Sequence, residues 1–311
     1  MLRPFNPVDI FGLLLLQART EPNMAWVRQG LTSGRARSVP LGGLVGEWLP
    51  RRAGRHTWVL SERGLAIGVV SIRRRRGQGN WEVDRLLVAR GKEQAALEVL
   101  EGLNVPSGRF GAERLFLRLP EKSPIETHVT NAGFRPLLRE ELLVRSPGKA
   151  PDGAQTQVGS VRPLVDADAF NLFRLYSCTV PGPLRQVDGV TLREWRGSRD
   201  MSEGLPPREA WVAERDAEIV AAITLSENGG GTRMIDLLAR PGQRDAAAAL
   251  LNTAVTTRRH RGTLLCLLPE YQGDLAGLLG DVGFESRGLF RVYVKYVIAR
   301  VRQPGLLPVG A

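Results

Sequence analysis

The sequence predicts an α/β protein, of the α+β type with mixed sheets, that consists of two related domains in tandem. Three observations support this fold class. The chain repeats itself after about 150 residues, which is the size of a whole domain. Each copy contains strand-length apolar stretches bounded by turn residues, together with amphipathic stretches of helical period. In each copy an antiparallel series of strands leads through a helix into a further strand, which implies a mixed sheet with helices on both faces.

The repeat is clearest around two tryptophans. With Trp58 set on Trp211, residues 67–72 overlay residues 220–225 without a gap. Further matches are Arg3-Pro4 with Arg162-Pro163, Glu47-Trp48 with Glu194-Trp195, Leu86-Leu87 with Leu237-Leu238, Leu119-Pro120-Glu121 with Leu268-Pro269-Glu270, and Gly133-Phe134 with Gly283-Phe284. We therefore predict a first domain over residues 1–148, a linker rich in Pro and Gly over 149–157, and a second domain over 158–311.

Each copy is predicted to open with a short strand and a helix. The strand ends near Arg3 or Arg162, and Asp9 or Asp168 stands at the start of the helix, where a carboxylate favours helix initiation. The apolar run that follows Asp9 has an internal counterpart at 168–176, which cannot be a signal peptide. We therefore expect a helix at this point and a cytoplasmic protein. A less regular helical region follows and ends at the Glu-Trp pair of each copy.

The middle of each copy alternates between strands and a long helix. In the first copy, strands are predicted at 58–60, 66–72 and 81–88, a helix at 92–103 and a buried strand at 115–119. In the second copy, the same elements are predicted at 211–213, 218–225, 234–239, 243–259 and 264–268. A short helix and the Gly-Phe pair then lead into the last long strand of each copy.

The composition excludes several classes of protein. No apolar stretch reaches the 18 or more residues of a membrane span. Cys178 and Cys266 are isolated, and His56, His128 and His260 have no metal-ligand spacing, so we predict no metal site.

The positive charge is concentrated in the first half. Residues 1–150 contain 24 Lys and Arg against 14 Asp and Glu, a net charge of +10 out of +11 for the chain. Four consecutive arginines, Arg73, Arg74, Arg75 and Arg76, lie in a predicted hairpin whose counterpart carries a single acidic residue. Such a cluster can bind a phosphate group, nucleic acid or an acidic partner, or it can be a solvated loop of an arginine-rich protein.

The sequence resembles the GNAT (GCN-type N-acetyltransferase) superfamily in its order of elements and in three local features. These are the Ile-Gly-Val-Val strand at 67–70, the Leu-Leu-Val strand at 86–88 that runs into a glycine turn, and the late Gly-Phe pair. The resemblance covers nearly the whole chain as a tandem pair. It implies that acetyl-CoA or another acyl-CoA lies where the fourth and fifth strands separate, with its diphosphate on the amides of the following turn and helix. The acyl group then passes directly to an amine.

The resemblance assigns the acyl-CoA contacts to the strand end and turn of each copy. The residues concerned are Leu87, Val88, Ala89, Arg90, Gly91 and Lys92 in the first copy, and Ala239, Arg240, Gly242 and Arg244 in the second. Both turns depart from the family pattern, because each has one glycine and is shorter than the family loop. Arg90 and Lys92 compensate in the first copy, whereas Asp245 lies among the cations of the second. We therefore expect the first half to bind acyl-CoA better.

The catalytic groups implied by the family are harder to find. Its tyrosine, which protonates the leaving thiolate, is replaced by Val129 and Leu279. Tyr271 is either a substitute for this tyrosine or a residue that only packs against the sheet. Glu82, Asp84 and Asp236 are candidate bases, or carboxylates held in salt bridges.

These observations lead to two functional hypotheses. The first is an acyl-CoA-dependent N-acyltransferase, with acetyl-CoA as the expected donor and a small-molecule or protein amine as the acceptor. The alternative is a catalytically degenerate binding or regulatory protein whose basic N-terminal domain contacts an acidic ligand or nucleic acid.

Overall fold

A computed structural model describes residues 2–18, 24–32, 54–75, 79–147, 160–188, 191–199, 207–227, 231–256 and 262–297. The predicted linker at 149–157, the Glu47-Trp48 pair and Arg76 lie outside these residues.

The described chain alternates between strands and helices in the predicted order, with an additional short helix at Asn104–Arg109 after the long helix of the first half. The strands are β1 (Leu2–Pro4), β2 (Arg55–Glu62), β3 (Leu65–Arg74), β4 (Asn80–Val88), β5 (Arg114–Pro120), β6 (Arg135–Arg145), β7 (Ser160–Pro163), β8 (Pro207–Arg215), β9 (Glu218–Glu227), β10 (Arg233–Ala239), β11 (Leu264–Pro269) and β12 (Glu285–Tyr296). The α-helices are α1 (Ile10–Ala18), α2 (Arg28–Thr32), α3 (Gln94–Glu101), α4 (Asn104–Arg109), α5 (Glu126–Asn131), α6 (Ala169–Thr179), α7 (Gly182–Asp188), α8 (Leu192–Arg199), α9 (Arg244–Thr256) and α10 (Ala276–Asp281). Short 3-10 helices lie at Pro7–Asp9, Asp166–Asp168 and Glu270–Leu275. The predicted α/β fold class is confirmed.

The repeated Arg and Asp residues at the start of each half form the same contact. Arg3 Nη1 donates to Asp9 Oδ2 at 2.7 Å, and Arg162 Nη1 donates to Asp168 Oδ2 at 2.7 Å. Asp168 also accepts the backbone N–H of Val165 at 2.9 Å, which caps the 3-10 helix that leads into α6. The neighbouring guanidinium lowers the pKa of each carboxyl group.

All twelve strands form one sheet, in the order β1-β2-β3-β4-β5-β12-β6-β11-β10-β9-β8-β7. The last strand of each half is exchanged. β12, from the end of the chain, lies between β5 and β6, while β6 pairs with β11 of the second half. The predicted division into domains 1–148 and 158–311, with a linker at 149–157, stays a prediction. The hydrogen bonding of the sheet joins strands of both predicted domains.

Both exchanged strands begin after a glycine with left-handed backbone geometry. Gly133 has φ of 87° and Gly283 has φ of 88°. Glycine adopts this region without the steric penalty of a Cβ atom, which explains why both copies have glycine at this position. The chain thereby reverses from a short helix into the long central strand.

Each exchanged strand places a buried cation at the equivalent position of the repeat. Arg145 Nε donates to the carbonyl of Val282 at 2.8 Å, and Lys295 Nζ donates to the carbonyl of Leu100 at 3.3 Å. Both carbonyls belong to the ends of helices in the opposite half, where carbonyl groups have no partner within the helix. Burial lowers the pKa of both side chains. These contacts attach each exchanged strand to the half that receives it.

The helices also cross between the halves on one face of the sheet. Trp26 and Leu31, around α2 of the first half, pack with Met234 and Leu267 of the second. Conversely, Val187 of α7 packs against strands of the central sheet, including Phe116, Val292 and Val294. In the described part of the chain, no helix has both the length and the apolar composition that a membrane span requires.

A buried ion pair joins β5 and β6, the two strands of the first half that flank β12. Arg118 Nε on β5 donates to Glu140 Oε2 on β6 at 2.7 Å, and the two side chains are 7% and 6% exposed. Replacing Arg118 with alanine leaves a buried carboxylate unpaired, so we expect the free energy of unfolding to fall by about 3–5 kcal/mol in urea denaturation.

Arg139 offers a matched control. Its Nε donates to Glu121 Oε1 at 2.6 Å, but Arg139 is 51% exposed. The Arg139→Ala variant is expected to lose at most about 1 kcal/mol, because solvent screens an exposed pair. Equal losses of stability in the two variants would contradict the conclusion that the buried Arg118–Glu140 pair stabilises the fold more than an exposed pair does.

Candidate functional site

The sheet opens at two equivalent places, where parallel strands separate. Pairing of β4 with β5 ends at Glu82 and Phe116, and pairing of β10 with β11 ends at Ile235 and Cys266. We call these gaps the first opening and the second opening. Beyond them, the backbone N–H and C=O groups on the facing edges have no ladder partner, and buried groups of this kind need one. The two halves meet this requirement differently.

The first opening is filled by backbone from its own half. The N–H of Met24 donates to the carbonyl of Leu86 on β4 at 3.0 Å, and the N–H of Trp26 donates to the carbonyl of Arg118 on β5 at 2.9 Å. Met24 and Ala25 are buried. Residues 24–26 therefore bridge the two strands where they separate.

The second opening is bridged at its outer end by one side chain. The N–H of Ala239 donates to Gln272 Oε1 at 2.9 Å, and Gln272 Nε2 donates back to the carbonyl of Ala239 at 2.8 Å. Gln272 is only 2% exposed. Leu237, two residues earlier on β10, faces the same side, and its backbone meets no hydrogen-bond partner there among the residues that the structure describes.

The turn after β4 is closed by its own side chains. Gly91, with φ of 74°, donates its N–H to Glu93 Oε1 at 3.1 Å. Lys92 Nζ pairs with Glu62 Oε2 at 2.9 Å. Ala89 donates its N–H to the carbonyl of Ile67 at 2.9 Å, while Leu87 and Val88 are buried at the end of β4. Arg90 is exposed.

The turn after β10 keeps more of its amides available. Gly242 has φ of 81°, and a Cβ atom there would meet nothing within 4 Å. Arg240 Nη1 pairs with Glu218 Oε2 at 3.1 Å, and Arg244 Nη1 donates to the carbonyl of Asp274 at 2.9 Å. Within the described ranges, no acceptor is found for the backbone N–H groups of Gly242 and of the first three residues of α9.

The candidate bases of the first half are held in buried ion pairs. Glu82 accepts a hydrogen bond from Arg73 Nε, and Asp84 pairs with Arg55 Nη2 at 2.5 Å. Glu82 is 4% exposed and Asp84 is 7% exposed. Both side chains are much less accessible to an incoming amine than that of Asp236 in the second half, which is 28% exposed.

The candidate base of the second half lies at the second opening. Asp236 is the first residue of β10 beyond the last pair with β11. Its Oδ1 accepts a hydrogen bond from Arg28 Nη1. Arg28 begins α2 of the first half, 208 residues away in the sequence. Sequence reasoning missed Arg28, because no local motif links it to β10.

Tyr271 lies in the 3-10 helix after β11. Its ring is partly buried and packs against the cluster that contains Tyr176 and Trp195.

The arginine cluster at 73–76 is only partly available to a ligand: Arg73 pairs with Glu82, and the guanidinium of Arg75 lies 4.3 Å from the centroid of the Phe116 ring. Arg74 is exposed.

Neither cysteine lies in a metal-binding group. No set of three or more His, Cys, Asp and Glu side chains converges among the described residues. Cys266 is fully buried, and burial raises its pKa to about 12. Cys178 is exposed.

Solved structures have a similar fold. A GCN5-related N-acetyltransferase from Sphaerobacter thermophilus superimposes with a TM-score of 0.60 at 16% identity, over 96% of this chain and 95% of that one. A tandem GNAT protein from the clavulanic acid biosynthesis pathway gives a TM-score of 0.53 at 14% identity, over 96% and 98% of the two chains. The chain has the tandem GNAT fold.

A GCN5-related N-acetyltransferase from Kribbella flavida has the same fold, with a TM-score of 0.51 at 13% identity, over 85% of this chain and 95% of that one. No family model matches the sequence, and neither does any curated protein. The predicted resemblance to tandem GNAT proteins is thus confirmed at the level of the fold.

The contact of Gln272 with Ala239 predicts a loss of stability on its removal. Gln272→Ala leaves a buried N–H and a buried C=O of the GNAT fold without partners, so we expect the free energy of unfolding to fall by about 1–3 kcal/mol. Urea denaturation measures this change. Ser123, the counterpart of Gln272 in the repeat, is also buried and provides the control variant Ser123→Ala. A loss no larger than that of the control would contradict a role for the amide pair.

Proposed function

We propose that the chain is an acyl-CoA-dependent N-acyltransferase and that the acyl-CoA binds in the second opening. One observation carries this choice. Residues 24–26 fill the first opening, whereas no backbone segment crosses the second in the described part of the chain. The sequence favoured the first half because of Arg90 and Lys92, but the contacts around the two openings favour the second.

The pantetheine arm of acyl-CoA is an extended chain with two amides. Such a chain can pair with an exposed strand edge as another strand would. Leu237 offers its N–H and C=O on the edge of β10, and Ala239 already pairs with a planar amide, that of Gln272. We propose that the arm pairs with Leu237 and replaces the Gln272 amide on Ala239.

The diphosphate then meets the turn after β10. The amides of Gly242 and of the first turn of α9 are oriented toward the helix N-terminus, where the helix dipole favours an anion. Arg240 and Arg244 flank this turn and supply positive charge. In the first half, by contrast, the carboxylate of Glu93 occupies the Gly91 amide and repels a phosphate.

The acyl transfer requires few protein groups. Asp236 takes one proton from the acceptor ammonium, and the nitrogen lone pair attacks the thioester carbonyl carbon. The new C–N bond forms, the C–S bond breaks, and the sulfur keeps the bonding electrons. A second proton passes from nitrogen to the CoA thiolate, and Asp236 releases its proton to water. General base catalysis of this kind typically accelerates a reaction by about 10² to 10⁴.

The same contacts favour a non-catalytic role for the first half. Its opening is filled, its carboxylates Glu82 and Asp84 are paired, and its turn is closed by Glu93 and Glu62. In this proposal the first half shapes the cleft of the second.

Calorimetric titration with CoA tests the proposal. We expect one molecule of CoA to bind per chain, and the double variant Arg240→Ala with Arg244→Ala to weaken binding about tenfold or more, because two charged contacts to the diphosphate are lost. The matched double variant Arg90→Ala with Lys92→Ala removes the same number of cations from the first half and should bind CoA as the unmodified protein does. Binding of two CoA molecules, or the reverse ranking of the variants, would overturn the assignment. Absence of any binding would overturn the proposed activity.

A further inference from the structure

We propose that the acceptor of the acyl group is an amino acid, and that Arg28 of the first half binds its carboxylate while Asp236 of the second half binds its amine. The inference rests on the proposed function, because it names the class of acceptor that binds at the second opening. It assigns a specificity-determining role to Arg28, which belongs to the half that we propose to be non-catalytic.

The position of the Arg28–Asp236 pair supports this role. Asp236 lies immediately past the last residue pair of β10 and β11, beside the proposed path of the pantetheine arm. The pair is partly open to solvent, with 16% of the Arg28 side chain and 28% of the Asp236 side chain exposed. Asp236 Oδ2 has no hydrogen-bond partner among the described residues, although it is buried. One carboxylate oxygen thus remains for an incoming donor.

Apolar clusters from both halves flank the pair. Met234 and Leu238 lie on the same face of β10 as Asp236, because side chains alternate along a strand. Met234 packs with Trp26 of the first half, and Leu238 packs against the cluster of the second half that contains Trp195. The two charges therefore lie between apolar walls, where charge is stabilised less well than in water.

The balance of charge favours a zwitterion. Arg28 and Asp236 neutralise each other, and so do the nearby buried Arg118 and Glu140. A simple ammonium ion would add one uncompensated positive charge to this region. An amino acid adds none, because its ammonium can replace Arg28 on Asp236 while its carboxylate replaces Asp236 on Arg28. One ion pair is exchanged for two, and the numbers of positive and negative charges at the Arg28–Asp236 pair stay equal.

The arrangement also orients the acceptor for reaction. The ammonium contacts the carboxylate that removes its proton, and the carboxylate of the acceptor is held on the opposite side by a planar guanidinium. Bidentate binding to a guanidinium restricts the rotation of a carboxylate more than a point charge does. Arg28 is accordingly a positioning residue, and Asp236 is the group that touches the reacting nitrogen.

Acceptor competition tests the inference. The twenty amino acids are first screened with acetyl-CoA by release of the CoA thiol, and the best substrate is compared with its own carboxamide. We expect kcat/KM for the amino acid to exceed that for the amide by about tenfold or more, which is the effect of one charge-assisted hydrogen bond. The amide has the more readily deprotonated amine, so intrinsic reactivity alone would produce the opposite preference.

Variants of Arg28 identify the residue responsible. Arg28→Gln should lower kcat/KM for the amino acid about tenfold to a hundredfold. It should lower kcat/KM for the amide much less, because the amide has no carboxylate for Arg28 to bind, and it should leave the dissociation constant of CoA unchanged, because Arg28 is not among the proposed CoA contacts. Arg28→Lys should restore part of the preference, because it keeps the charge. Arg3→Gln is the matched control, since Arg3 also pairs with a carboxylate, that of Asp9 at 2.5 Å, but is 43% exposed and lies on β1, on the opposite side of the sheet from β10. Thermal unfolding of each variant verifies that it is folded.

The outcomes separate the inference from the proposed function. If amines are acylated without a preference for the free carboxylate, or if Arg28→Gln lowers both activities equally, the inference is wrong and the acyltransferase proposal stands. If CoA does not bind or no amine is acylated, the acyltransferase proposal fails. The inference is then decided by direct calorimetry of the amino acids and their amides. Binding of neither, or equal binding of both, overturns it.

Discussion

The insertion of β12 between β5 and β6 is the constraint on which the rest of the structure depends. Without β12, the edge of β5 would expose a row of backbone hydrogen-bonding groups, and the first half would lack the strand that completes its sheet. Because β6 joins β11 in exchange, neither half is complete alone. The buried cations Arg145 and Lys295 attach these strands to helix ends in the receiving halves. The exchange thereby fixes the two halves against each other, and it brings α2 of the first half onto the strands of the second.

The two openings of the sheet face the same physical requirement and meet it in different ways. Parallel strands that separate leave backbone groups in need of partners. The first half supplies them from the backbone of residues 24–26, a permanent partner within the fold. The second half uses the side chain of Gln272 at Ala239, which a change of side-chain rotamer can remove. The two copies of the repeat therefore differ in their openings: backbone fills the first, and a side chain bridges the second. The segment that closes the first opening continues directly into Arg28, so the closed opening and the ion pair at the other opening are linked through a few residues.

Most of the elements could be predicted from the sequence, because local periodicity and the repeat both indicate them. The strands around Trp58 and Trp211 are an example, since each copy supports the assignment of the other. The exchange of β6 and β12 could not be predicted in this way. The Gly-Phe pairs of the two copies are alike, and the same local sequence fits a strand that returns to its own sheet or crosses to the other one. The candidate site was predictable only in part. Asp236 was identified from its strand, but Arg28 reaches it across 208 residues of sequence, and no local pattern records that contact.

The position of β12 also determines the order in which the chain can fold as it is synthesised. β5 ends at Pro120, but the strand that pairs with its open edge begins at Glu285. A ribosome that has completed the first half has therefore made a sheet with one unprotected edge, together with a β6 strand whose partner β11 does not yet exist. The nascent chain must keep both from pairing with other chains until the second half has emerged, and such exposed edges are the usual starting points of aggregation. The high sequence separation of the central pairs also predicts slow folding. The central part of the sheet can therefore be completed only after β12, the last strand in the sequence, has been made.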